Sequence, residues 1–163
     1  MQRTATSLVL ILSALLCLCS CEGINCTLNN VVTCNIAFYS SSTGEAVSIT
    51  DTLTVTAMGT DSILYNKGIS TSKLSLPMSY WNEADSLILN ISGSSEQYKP
   101  IIIINKSNTV HFESPDCPSV MFHVIEGVDW DNDLGLIDSV TISNPAVNYD
   151  ALENIRIYLH TVE

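Results

Sequence analysis

Positive charge is scarce in this chain: 6 Lys and Arg stand against 17 Asp and Glu, a formal charge of −11 at pH 7. The six cations are scattered singly, which argues against a nucleic-acid-binding face and against a polybasic contact with lipid headgroups. All charged residues together make up only 14%, while 46% are hydrophobic, too apolar a mixture for a chain that stays unfolded. No long apolar stripe with a 3.6-residue period follows residue 20, so a helical bundle is not expected. G-x-S-x-G, H-E-x-x-H and phosphate-loop patterns are missing as well. The three histidines, His111, His123 and His160, lack metal-ligand spacing and adjoin no nucleophile. The expectation is a protein without enzymatic activity or cofactor. A hydrolase using paired carboxylates, whose separation is spatial and invisible in sequence, is the least supported alternative.

One apolar run stands out, from Leu8 to Leu18. It is shorter than the roughly 20 residues that a spanning helix needs. It follows Met1-Gln2-Arg3 and ends in Leu18-Cys19-Ser20-Cys21, which resembles the lipobox of a bacterial lipoprotein: an aliphatic residue, two small ones, then the acylated cysteine. Residues 1–20 are therefore expected to be a cleaved lipoprotein signal peptide, residues 21–30 a lipidated tether with Cys21 as the acylated residue, and residues 31–163 one domain. An ordinary secretory leader cut after Cys19-Ser20 and a retained anchor are the alternatives. Cys17 is a poorer site because Leu16 is too large for the position before cleavage. Each acyl methylene taken out of water contributes about 0.8 kcal/mol, so two or three chains on Cys21 hold a domain at a bilayer without a spanning helix. The address is the cell envelope, and the membrane is a partner through the lipid.

Cleavage before Cys21 removes one basic residue and no acidic one, so the mature part is more acidic still. It leaves Cys26, Cys34 and Cys117 as thiols, enough for one disulfide. Cys34 shares parity with Ile36 and Phe38 and reads as a core thiol. Cys26 and Cys117 lie in turn-like contexts, the latter in Pro115-Asp116-Cys117-Pro118, so Cys26–Cys117 is the favoured pairing and Cys26–Cys34 its rival.

Period-two alternation dominates the rest, together with 21 Ser, 14 Thr and many β-branched residues. Apolar faces form at Cys34, Ile36 and Phe38; at Leu53, Val55 and Ala57; at Leu87, Leu89 and Ile91; at Val120, Phe122 and Val124; at Val140 and Ile142; and at Ile155, Ile157 and Leu159. The run Ile101–Ile104 has no polar face and is expected as a central strand covered on both sides. Shorter strands are expected at Ser62–Tyr65, Lys73–Leu76 and Thr109–Phe112. Turn signals separate them at Ser40–Gly44, Asn66-Lys67-Gly68, Ser92–Glu96, Glu126–Gly135 and Asn144-Pro145. Seven to ten short strands at this spacing predict an all-β, antiparallel sandwich of immunoglobulin-like type, without the Cys–Trp–Cys pattern of antibody domains.

Three stretches carry a family resemblance: Ile36–Tyr39; Asp51–Val55 through Asp61–Lys67; and Ile137–Val140 through Asn144-Pro145 to Glu153–Tyr158. Together the chain resembles an uncharacterised lipoprotein family of Bacteroidetes, classed as a domain of unknown function. The resemblance implies an envelope location and a β-domain, and it brings no activity or catalytic residue. It also implies an early and a late cysteine, which supports Cys26 with Cys117 and leaves Cys34 as an extra. Surface display in these bacteria resembles a rule asking for several acidic residues after the lipidated cysteine. Only Glu22 follows here, so an outer-membrane anchor facing the periplasm is as well supported as one facing outward.

Candidate chemistry is thin. Thr52, Ser62, Ser86 and Ser139 each follow an Asp and precede an aliphatic residue, which resembles the O-glycosylation signal of exported proteins in this group. The competing explanation is that Asp favours a turn and a hydroxyl residue with an aliphatic neighbour starts a strand. Asp129, Asp131 and Asp133 alternate as calcium ligands do, but Leu134 and Val140 stand where an EF-hand loop needs Gly and Glu; a solvated acidic hairpin loop fits better. Tyr80, Trp81 and Trp130 fall in expected loops, where aromatics stack on sugars or anchor protein contacts, although core packing is the commoner fate of a tryptophan. A non-enzymatic envelope module that binds an envelope protein, or a glycan, is the functional expectation.

Overall fold

Strands form where the alternation is strongest, because a pleated chain sends successive side chains to opposite faces. β1 (Thr33–Ser40) buries Cys34, Ile36 and Phe38, β2 (Thr52–Ala57) buries Leu53 and Val55, and β5 (Ala84–Ser92) buries Leu87, Leu89 and Ile91. The remaining elements are β3 (Ile63–Gly68), β4 (Lys73–Pro77), β6 (Gln97–Tyr98), β7 (Ile101–His111), β8 (Val120–Asp131), β9 (Ile137–Ile142), β10 (Ala146–Val147) and β11 (Glu153–Leu159). These come from a computed structural model that describes residues 26, 32–60, 62–94, 96–131 and 135–160. The leader and Cys21 lie outside the described residues.

One sheet has the order β4-β1-β11-β9 and the other β10-β8-β7-β5-β2-β3, with β6 paired to β5. Phe38, Leu74, Ile155 and Ile157 of the first share one apolar cluster with Leu53, Val55, Leu89, Ile102 and Ile104 of the second. The protein is thus an all-β sandwich of two packed sheets. The immunoglobulin-like subtype is not established by this strand order. One pairing departs from the antiparallel expectation: β1 runs parallel to β11. Parallel neighbours need a long connection, and here nearly the whole domain supplies it. A register shift beside Asn35 leaves Asn154 as the extra residue in β11, and its buried side chain is fully used. Its Oδ1 accepts from Asn35 N at 2.9 Å, while its Nδ2 donates to Asn144 O at 3.0 Å and Ala146 O at 2.8 Å.

Four local expectations need correction. Asn66-Lys67-Gly68 is not a turn but the end of β3, where two residues oppose Thr54 alone between the Leu53–Gly68 and Val55–Tyr65 pairs. The bulge puts Lys67 at φ 48°, the left-handed conformation that the turn-forming composition tolerates. Ile101–Ile104 is central, between β5 and β8, but Ile101 and Ile103 are only half-buried on the outer face. Thr109 to His111 continues β7 rather than forming a separate strand. Finally, Glu126 to Asp131 is strand, not loop, because β7 needs a partner along its whole length: Ile101 pairs Asp131 and Ile104 pairs Val128. A bulge opposite Asn105 and Lys106 then reverses the parity of β8, so that Ile125 is 3% exposed and Val124, expected inside, is 46% exposed.

Candidate functional site

The long β7–β8 hairpin carries one residue whose type contradicts its position. Ile102, Ile104 and Lys106 share the inward face of β7, and Lys106 is 2% exposed. Its ammonium lies under the loop 78–83 that joins β4 to β5. Lys106 Nζ donates to Ser79 O, Asn82 O and Asn108 Oδ1, each at 2.7 Å, and sits 3.7 Å from Asp85 Oδ2. Three acceptors require all three ammonium protons, so the side chain is held charged. Burial pushes its pKa down, and the Asp85 charge opposes that. Asp85 in turn accepts from Ser79 N at 3.1 Å and from the Ser79 hydroxyl. Asn108 Nδ2 donates to Asn82 O at 2.9 Å.

His123, buried on β8 opposite Asn108, completes the network: its Nδ1 lies 2.7 Å from Asn108 Oδ1. That oxygen only accepts, so the imidazole donates from Nδ1. Burial, then the neighbouring Lys106 charge, lowers the His123 pKa to about 4 against a partial offset from Asp85. The ring is neutral at physiological pH. This arrangement fixes the loop backbone at Ser79 and Asn82, with Met78 buried in the core and Trp81 80% and Tyr80 53% exposed.

Beneath the two aromatics runs a groove of about 650 Å³. Val110 and Met121, paired across the hairpin, form its apolar part, Asn105 and Ser107 supply polar groups, and Glu83 and Glu126 add carboxylates. In chemical terms the groove sets two aromatic rings beside amide, hydroxyl and carboxylate groups. The other side of the loop borders a smaller cavity of about 380 Å³ that includes Met58, Leu64 and Ser86.

The sequence-derived candidates separate accordingly. Tyr80 and Trp81 meet at the groove, whereas Trp130 lies in strand β8 opposite Ile102, away from it. Asp129 accepts from Asn105 Nδ2 at 3.1 Å, and Asp131 lies at the end of β8. Asp133 lies outside the described residues, among which no group of three His, Cys, Asp or Glu is placed to hold a metal. Ser62 is exposed just before β3, whereas Thr52, Ser86 and Ser139 are half-buried in strands, Ser139 donating to Asp138 at 3.1 Å. Cys26 is bonded to Cys117, their Cα atoms 5.7 Å apart, and Cys34 is free and buried, its thiol pushed by burial up to about 12. The Lys106–Asp85–Asn108–His123 network was missed. Its one visible signal was a lysine at the buried parity of an isoleucine-rich strand.

No curated protein and no solved structure matches the chain. Among the described residues no helix is long and apolar enough to cross a membrane. A family model does match, over residues 52–159, a stretch that contains the loop, the whole β7–β8 hairpin and every residue of the groove: the chain belongs to the family of unknown function DUF6452.

Proposed function

We propose that this protein is a lipid-anchored, non-enzymatic binding module of the bacterial cell envelope, held at the outer membrane through Cys21 and working through the groove beneath Tyr80 and Trp81. The lipobox-like sequence and the likeness to Bacteroidetes lipoproteins support the address. The observation that carries the binding role is the loop itself: a buried charge network fixes its backbone while Trp81 stands 80% exposed over a groove. Exposed aromatics cost little conformational entropy when their backbone is already ordered, which favours binding. Changing Cys21→Ala should move the protein from the membrane to the soluble fraction, and continued sedimentation with membranes would refute the anchor.

A glycan is the second reading, favoured by the mixture of Trp81, Tyr80, amides and carboxylates in one groove. Titrating the soluble domain with envelope oligosaccharides while following tryptophan emission tests it. Emission changes that vanish in Trp81→Ala support a sugar ligand; no response to any of them leaves a protein or membrane partner.

A further inference from the structure

The disulfide fixes where the tether leaves the domain. Cys26 is joined to Cys117, in the connection between β7 and β8, and Cys21 stands five residues earlier. Five extended residues span at most about 17 Å. Without the bridge the tether would run from Val32, more than twice as many residues from Cys21. The bridge therefore keeps the hairpin tip close to any bilayer that holds Cys21.

That end of the molecule also exposes large apolar side chains, as Ile63, Ile69 and Leu152 do elsewhere. Met121, itself buried, is four residues from Cys117, a reach of at most about 14 Å, and with the exposed Val110 it lines the groove of Tyr80 and Trp81. Phe112, directly after β7, is 63% exposed. Tryptophan and tyrosine favour the boundary between hydrocarbon and water, where the ring is half-dry and the polar atom stays wet. Glu83, Glu113, Asp116 and Glu126 belong to the same end, so anionic headgroups are repelled and neutral ones are preferred.

We infer that the β7–β8 tip faces the membrane and that Trp81, Tyr80 and Phe112 pack into the neutral headgroup layer of the bilayer that holds Cys21. The inference rests on the acylation proposed above and names the partner of the same aromatic surface. The groove then opens at the membrane and acts on what lies there, rather than reaching outward from it.

The two tryptophans provide an internal ruler. Trp130 lies ten residues along β8 from Val120, roughly 33 Å from the tip at the usual rise per residue. The acylated protein is placed in phosphatidylcholine vesicles whose acyl chains are brominated close to the headgroup. Trp130→Phe leaves Trp81 as the sole emitter, and Trp81→Phe leaves Trp130. Emission from Trp81 should fall about twofold or more and shift to the blue, as for an interfacial ring, while Trp130 should be unchanged. Should Trp130→Phe fail to fold, the difference between the native protein and Trp81→Phe gives the same quantity. Protein bound to the vesicles with Trp81 unquenched, or with both tryptophans quenched alike, overturns the orientation alone. Protein that does not bind the vesicles overturns the acyl anchor, and the orientation with it.

Discussion

Lys106 carries a full charge into a place where an apolar side chain would otherwise sit, and the geometry explains why it is stable there. The tight loop 78–83 turns two carbonyls, Ser79 O and Asn82 O, toward the interior, and each accepts a hydrogen bond from the ammonium. Removing one member of a buried charge pair costs about 3–5 kcal/mol, because the partner is left desolvated and unpaired. Lys106→Met is therefore expected to lose stability of that order in urea unfolding and to raise the mobility of Trp81, read as lower fluorescence anisotropy. An unchanged midpoint would show that the loop holds itself. His123 adds a pH dependence. Folding keeps its ring neutral down to about 4, whereas the unfolded chain takes up the proton near the ordinary imidazole value of 6.5. Between these values the unfolded state binds more protons, so this contribution is complete above 6.5 and declines as pH falls toward 4, by on the order of 3 kcal/mol. His123→Asn keeps a donor for Asn108 but cannot titrate. Its stability should decline less steeply than the native protein's over that window; identical slopes would assign the acid sensitivity elsewhere.

Among the elements, β8 departs most from simple alternation. The bulge opposite Asn105 and Lys106 leaves Glu126 as an extra residue and shifts the inward face of β8 from the even positions Val128 and Trp130 to the odd positions His123 and Ile125, with Val124 outside. Truncating a buried isoleucine costs about 2–5 kcal/mol, whereas a surface position away from special features changes stability by about 0.5 kcal/mol or less. Ile125→Ala should thus lower the urea midpoint severely and Val124→Ala hardly at all, and the reverse ranking would place the bulge elsewhere. Strands whose apolar face alternates without a break, β2 and β5, were legible because burial of one face decides their parity. Bulges were not legible, since one inserted residue is set by the partner strand and by what packs above it. The same holds for Asn66-Lys67, whose turn-like composition serves a bulge at φ 48° inside β3. Edge elements such as β10 carry two residues and no period at all.

For the whole molecule, the sandwich and the aromatics at Tyr80 and Trp81 were legible, but the site was not, because Asp85, Lys106, Asn108 and His123 come from three strands and meet only after folding. The disulfide was legible as a preference, from turn-like surroundings, and its consequence belongs to the entire chain. It joins residues 91 apart, outside both sheets, so it constrains the unfolded ensemble far more than any strand pairing. Loop-closure entropy for that span is on the order of 4 kcal/mol, and measured bridges usually deliver about 2–4. The paired change Cys26→Ser with Cys117→Ser, made together so that no stray thiol remains, should therefore preserve the β-sheet circular dichroism while lowering stability by about 2–4 kcal/mol. The urea slope should rise as well, since an uncrosslinked chain exposes more surface on unfolding. Cys34 provides the control for native packing. With its thiol raised to about 12 inside the core, it should resist alkylation in both proteins until they unfold. If Cys34 instead reacts in the folded double variant, the bridge maintains core closure between the sheets, and the stability loss is no longer an effect on the unfolded chain alone.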